Sequence, residues 1–308
     1  MKNVTPIFLL SLPRSGSTLT QRVLATHPKI ATESEPWVLL PLYAALEPGL
    51  CQARYSQETL EKAIADFCNV LPDGRNGYHA AVRAFAMTLY SGIAEKQGAI
   101  FFLDKTPRYH LIAHHLLDAF PEARFIILWR NPLATIGSRI HSFGGVWRLQ
   151  NYQVDLFDGL VNLVRVREAY ADRILAIRFE DMVSEPERVF KVVFEHIGLD
   201  FRSECLRSFS GVLLKGQMGD KTGLQEYKTF SLNPLDKWKS TLASPVRRAW
   251  CRHYLKWLGE RRLKVMGYNQ DALFDQLNSE PNSWRTVPSD IARLVFSRFA
   301  SHNIRSLP

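Results

Sequence analysis

The sequence has little cysteine and no arrangement of it that would hold a metal. Cys51, Cys68, Cys205 and Cys251 form no C-x-x-C pair and have no histidine partners at ligand spacing. They read as thiols in a reducing compartment, and no metal is expected. Long hydrophobic runs are also missing: no stretch approaches the 18 or so apolar residues of a membrane span. The opening MKNVTPIFLLSL carries a short apolar run, but it leads into Pro13-Arg14 rather than a small-residue cleavage site. A soluble, cytoplasmic protein is therefore expected. Repeats and low-complexity tracts are absent, which excludes fibrous and disordered classes. Acidic charge is in deficit, with 30 Asp and Glu against 39 Lys and Arg, giving a net +9. The imbalance favours an anionic partner. No nucleic-acid recognition motif accompanies it, so neither nucleic-acid nor membrane-surface binding is expected as the main function.

What is present is an alternation of two patterns. PIFLLSL (6–12), AIFFLDK (99–105), RFIILWR (124–130) and RILAIRF (173–179) are short, apolar and β-branched or aromatic, as strands buried on both faces must be. Helical periodicity occupies 18–26, 58–67, 79–96, 110–120, 132–142, 156–170, 185–197, 202–209 and 244–259. Strands separated by helices imply right-handed crossovers, hence an α/β fold with a parallel central sheet flanked by helices. One domain is expected over 1–270. The polar segment 211–239 reads as a long loop or lid. Residues 271–308 read as an extension, whose basic amphipathic helix at 289–302 is expected to dock on the domain.

The stretch LLSLPRSGSTLTQRVL (9–24) passes from buried strand to helix through a turn rich in hydroxyls. Turns at the carboxyl ends of parallel strands collect anions, because the first N–H groups of the helix point at the ligand. Against the phosphate-loop pattern G-x-x-x-x-G-K-[ST], Gly16 and Thr18 match, but Ser17 stands where the lysine would be and Ser11 where the first glycine would be. Without that lysine the β- and γ-phosphates of a nucleoside triphosphate lack their partner. Arg14 supplies positive charge from inside the turn, in a planar fork suited to a tetrahedral oxyanion.

RFIILWRNPLATIGSRIHSF (124–143) repeats the arrangement. Arg130 lies at a strand end, Pro132 opens a helix, and Ser138 with Arg139 follow along it, where a hydroxyl and a guanidinium could clasp a second phosphate. Two anion sites in one sheet suit a ligand phosphorylated at both ends.

LPRSGSTL resembles the 5′-phosphosulfate loop of sulfotransferases that use 3′-phosphoadenosine 5′-phosphosulfate. WRNPLATIGSR resembles their 3′-phosphate motif, and IRFEDMVSEPERVFKVVFEHIGL (177–199) the segment that follows. The likeness runs over about 5–260 and is closest to the branch holding protein-tyrosine sulfotransferases and many bacterial enzymes. It implies a P-loop-like sulfotransferase fold, with Arg14, Ser15, Gly16, Ser17, Thr18, Arg130 and Ser138 contacting the donor. Phe179 would stack on its adenine, and Lys237 would be a late contact. The resemblance also implies Glu35 in HPKIATESEPW as general base, with Glu33 as a neighbouring candidate, and Lys105 in LDKTPRY as catalytic lysine. His110 is a rival base, whereas His114 and His115 read as helix-face residues.

By analogy with phosphoryl transfer, such a site works by positioning and charge stabilisation. Glu35 would take the acceptor proton, while Arg14, Lys105 and the 15–18 amides neutralise the leaving phosphate without a metal. The acceptor is expected to be a small molecule, met by aromatics such as Trp37, Tyr43, Trp147 and Tyr152; oligomeric state is not legible. Two other readings are a phosphate-loop nucleotide kinase, for which Asp104 is the only metal-binding aspartate on offer, and a basic nucleic-acid or membrane binder.

Overall fold

The structure, a computed structural model, describes residues 4–47, 56–214 and 229–293. Five strands, β1 (Thr5–Ser11), β2 (Ile30–Thr32), β3 (Phe101–Asp104), β4 (Arg124–Trp129) and β5 (Ile174–Arg178), form one sheet. Their order is β2-β3-β1-β4-β5, and every pairing is parallel. Four of them are the apolar runs legible in the sequence. β2 is not, because three residues at a sheet edge are too few to show a period of two.

Side chains alternate across the sheet, so each strand feeds two cores. Phe8, Leu10, Phe102, Phe125 and Ile127 belong to one, and Ile7, Leu9, Leu103, Ile126 and Leu128 to the other. The second face is covered by α1 (Ser17–Leu24), α8 (Phe179–Ser184), α9 (Pro186–Ile197) and α10 (Cys205–Ser208), through Leu19, Val23, Met182, Phe190, Phe194 and Cys205. The first face carries α2 (Leu40–Ala44), α4 (Gly74–Lys96), α5 (Ala113–Ala119), α6 (Pro132–Ser142), α7 (Leu160–Ala169) and α12 (Pro245–Val265). α3 (Gln57–Val70) lies against α4.

Several expected elements differ in detail. The helix expected at 110–120 is split: a 3₁₀ turn covers Pro107–Leu111, and α5 begins only at Ala113, after non-helical Ile112. The one expected at 156–170 opens as a π turn, Val154–Gly159, before α7. The 244–259 helix extends to Val265 across a break at Gly259, whose φ is 68°.

The segment expected as a lid ends in a helix, α11 (Asn233–Thr241), while 215–228 lie outside the described residues. Beyond 270, α13 (Gln270–Asn278) buries Leu273 and Leu277 in the larger core. The chain is helical again at 287–293. There Asp290 receives two hydrogen bonds from Arg247, at 2.8 and 2.9 Å, both side chains buried. Residues 294–302 of the helix expected at 289–302 lie outside the described residues.

Register gathers the chemistry at one edge. Asp104 pairs with Phe8, and Ser11 with Leu128, so the turns after β3, β1 and β4 open side by side.

Candidate active site

The β1–α1 turn is built from backbone that most residues avoid. Arg14 has φ 71°, and Gly16, the residue capping α1, has φ 92°. Glycine reaches that region without penalty, whereas a non-glycine residue there costs of order 1–3 kcal/mol and needs surroundings that hold it. Arg130, one residue beyond β4, does the holding: its Nη1 donates to the Arg14 carbonyl at 2.7 Å. Its Nη2 donates to the Pro234 carbonyl at 3.3 Å, joining the turn to α11. Ser15, Ser17 and Thr18 are all buried at the start of α1, whose first-turn N–H groups have no intrahelical acceptor.

Arg14 itself reaches across to α6, its Nε donating to Ser138 Oγ at 3.3 Å. Between this turn, α6 and α11 lies a cleft of about 280 Å³, whose lining includes Arg14, Arg130, Ser138, His141 and Lys237 and, among the described residues, no carboxylate. A cavity walled by cations is suited to a polyanion. Its far wall depends on Gly137: a Cβ there would stand 2.6 Å from Trp238 Cβ, so glycine is what lets α11 approach α6. Lys237 Nζ lies 3.3 Å from His141 Nε2 at the rim.

Two expected contacts are placed otherwise. Arg139 follows Ser138 by one residue, about 100° round the helix, and so faces away from the cleft. Its guanidinium carbon sits 3.2 Å from the centroid of the Tyr152 ring, and burial pulls it down to about 10. Phe179 is completely buried, its edge against Gly16 and its face under the Arg130 guanidinium at 4.4 Å. In this structure the ring supports the turn from behind and does not line the cleft.

On the other side of β1, at the end of β3, stands the ion pair Lys105–Glu35. Nζ and Oε1 are 2.7 Å apart, with side chains 2% and 8% exposed. Glu35 Oε2 also accepts from the Trp37 indole N–H at 3.2 Å. Glu33 goes elsewhere, accepting from the Gln97 amide at 3.3 Å. Gln21 on α1 steadies the start of this segment, its amide donating to the carbonyls of Glu33 and Ser34 at 2.7 and 3.1 Å. The pair does not line the basic cleft. It occupies the β3 side of the Arg14 turn, and the cleft the β4 side.

The remaining candidates lie outside both sides. His110 is fully buried, its Nε2 2.9 Å from Asp155 and its ring against Gly159, where a Cβ would meet Nδ1 at 2.3 Å. It is enclosed where a base would need access. His114 and His115, on α5, both set Nε2 on Glu47 Oε1, at 3.1 and 2.8 Å. Among the aromatics expected to meet an acceptor, Tyr43 and Trp147 are core residues.

Asp104 is sealed by hydroxyls. Tyr90 donates to its Oδ2 at 2.5 Å and Tyr109 at 3.2 Å, while Thr106 donates to Oδ1 at 2.9 Å. Burial pushes its carboxyl up to about 6, the three hydroxyls and Lys105 pulling the other way. A carboxylate with its acceptor sites so occupied and 1% exposure is not placed to hold Mg²⁺, which removes the aspartate that the kinase reading needed.

Three features carry no strong sequence signal. The glycine at 137, inside a helix, is the one sign of a close approach. Asn131 caps α6, accepting from the N–H groups of Leu133 and Ala134. Glu180 ties that corner together, accepting from the Asn131 N–H at 2.9 Å and the Tyr268 hydroxyl at 2.7 Å.

A model of the sulfotransferase family matches residues 6–203. Nodulation protein NoeE of Sinorhizobium fredii is 29% identical over 65% of this chain, and the match spans 52% of that protein, about half its length. Protein-tyrosine sulfotransferase 1 of Danio rerio is 23% identical over 80% of this chain and 69% of its own. Among solved structures, the sulfotransferase domain of the Synechococcus PCC 7002 olefin synthase superposes with a TM-score of 0.54 at 28% identity. That likeness covers 78% of this chain and 89% of that one.

Proposed function

The chain belongs to the sulfotransferase family, and on that premise we propose that it transfers a sulfuryl group from 3′-phosphoadenosine 5′-phosphosulfate to a hydroxyl or amine of a small molecule. The observation that carries this reading is the cleft lined by Arg14, Arg130, Ser138 and Lys237, with no carboxylate among the described residues, adjoining the N-terminus of α1, which has no side-chain cap. Arg130, Ser138 and Lys237 would take the 3′-phosphate, and Arg14 with the 15–18 amides the 5′-phosphate.

The donor supplies an SO₃ unit already bonded to a good leaving group. The acceptor oxygen–sulfur bond forms as the bond from sulfur to the phosphate oxygen breaks, and the acceptor proton passes to the Glu35 carboxylate. Lys105 begins on Glu35. As charge gathers on the leaving phosphate, its ammonium has a second anion to neutralise beside Arg14.

A small-molecule acceptor is favoured because Glu35 is recessed behind Lys105 and Trp37, so that a hydroxyl must enter to reach it.

Calorimetric titration with adenosine 3′,5′-bisphosphate in EDTA tests the reading, with ADP and Mg²⁺ as the control. Metal-free binding of the bisphosphate is expected. In Arg130→Ala, which loses the 2.7 Å bond to the Arg14 carbonyl as well as one cation, affinity should fall about 10- to 100-fold, or about 1.4–2.8 kcal/mol. Preference for ADP with Mg²⁺ would overturn the proposal. Turnover of a phenol against a tyrosine-containing peptide then separates the acceptor classes.

A further inference from the structure

The segment that carries Glu35 runs from β2 to α2, and what pins it lies beneath. The Trp37 N–H donates to Thr106 Oγ1 at 3.2 Å, and the Leu39 N–H to the Tyr109 hydroxyl oxygen at 3.1 Å. Both hydroxyls in turn donate to Asp104, Thr106 to one oxygen and Tyr109 to the other. Trp37, held in the left-handed region at φ 59°, sends its indole N–H to Glu35 Oε2.

We infer that Asp104 is a positioning residue: through the hydroxyls of Thr106 and Tyr109 it fixes the 35–39 segment and thereby sets Glu35 against Lys105. The inference rests on the reading of Glu35 as the base.

An ionised carboxylate only accepts, so every hydroxyl facing it must turn its hydrogen inward. That leaves the oxygen lone pairs of Thr106 and Tyr109 facing outward, where the N–H groups of Trp37 and Leu39 need acceptors. One buried charge thus orients two acceptors for two backbone amides of one segment. An asparagine at 104 has nearly the same shape but presents an oxygen on one side and an NH₂ on the other. Whichever way the amide lies, one of the two hydroxyls faces a donor, turns its own hydrogen outward and confronts a backbone N–H. A buried donor left without an acceptor is costly, and the segment must shift. Displacement of a catalytic group by about 1 Å can cost up to about 100-fold in rate.

The test uses the less disruptive partner, Thr106. Amide hydrogen exchange is followed by mass spectrometry over 33–39 in the wild type, Thr106→Val and Thr106→Ser. Turnover is measured with p-nitrophenol as acceptor, and bisphosphate affinity by calorimetry. Thr106→Val should speed exchange across 33–39 and lower kcat about tenfold, leaving bisphosphate affinity within about twofold. Thr106→Ser, which keeps the hydroxyl, should restore both. If Thr106 acts through Glu35, the double variant Thr106→Val/Glu35→Gln should turn over no more slowly than Glu35→Gln alone.

Additive losses, or unchanged exchange and kcat in Thr106→Val, overturn the inference and leave Glu35 as the base. Full turnover by Glu35→Gln alone instead removes the base reading and this inference with it. Asp104→Asn is the confirming variant, expected to reproduce Thr106→Val in exchange and in kcat; wild-type values for both would overturn the role of Asp104.

Discussion

Replacing Gly16 by alanine imposes two separate burdens on the β1–α1 turn. The residue keeps φ 92° only by entering a region that costs an L-amino acid about 1–2 kcal/mol. The added Cβ would also lie 2.4 and 2.6 Å from two carbons of the Phe179 ring, a ring without room to retreat because it is fully buried. Overpacking of this kind costs about 1–3 kcal/mol. Together they place the loss at about 2–5 kcal/mol, read from urea unfolding at equilibrium. The two parts can be separated. Phe179→Leu removes ring atoms from the clash, so the double variant should recover the overpacking share and retain the backbone share. Bisphosphate affinity should fall at least tenfold in Gly16→Ala, since the α1 amides shift with the turn. Stability of Gly16→Ala within about 0.5 kcal/mol of the wild type would refute both the strain and the contact. Strictly additive losses in the double variant would refute the contact alone.

Two further outcomes follow from buried charge. Asp290→Ala removes the carboxylate from a bidentate pair with both partners buried and leaves the Arg247 guanidinium on the neutral carbonyls of Thr241 and Gly145; removing one partner of such a pair costs about 3–5 kcal/mol, measurable by urea unfolding, and a loss under about 1 kcal/mol would show that the 287–293 helix is not held this way. The Asp104 carboxyl, raised to about 6 by burial and faced by Tyr90 from α4, Tyr109 from the 3₁₀ turn, and Thr106 and Lys105 from the end of β3, gives a pH dependence of stated sign. Between about pH 6 and pH 4 the folded chain holds a proton that the unfolded chain still lacks, so this group's contribution to stability should rise as pH falls. Asp104→Asn should lack that rise, and in the wild type kcat should decline over the same window as the protonated carboxyl turns one hydroxyl outward; parallel pH profiles of the two proteins would contradict the assignment.

The central sheet and the two strand-end turns after β1 and β4 were legible in the sequence because each depends on local pattern. Buried parallel strands read as apolar runs, and Pro13-Arg14 and Arg130–Pro132 announce themselves at strand ends. What was not legible depends on direction and on distant packing. Ser138 and Arg139 look equivalent in sequence, yet one step along a helix sends one into the cleft and the other onto Tyr152. Phe179 reads as an aromatic near a nucleotide loop. Only its contacts with Gly16 and Arg130 place it behind the turn. Glu33 and Glu35 are separated by which side chain reaches Lys105. The α11 helix was hidden by the polar composition of its surroundings, and its place is decided by a missing Cβ at Gly137. In sequence Asp104 reads as the aspartate open to a metal because a carboxylate's neighbours are invisible there; in the fold those neighbours are hydroxyls.

Strand order also bears on how the chain is made. β1 lies at the centre of the sheet, yet it is the first strand to be synthesised, and its neighbours are Phe101–Asp104 and Arg124–Trp129. At about 5–20 residues per second, its unpaired apolar edge waits on the order of 5–20 s for a partner. The turn after β1 likewise lacks its bracing until Arg130 and Pro234 have followed, so its geometry is a product of later assembly than its own residues.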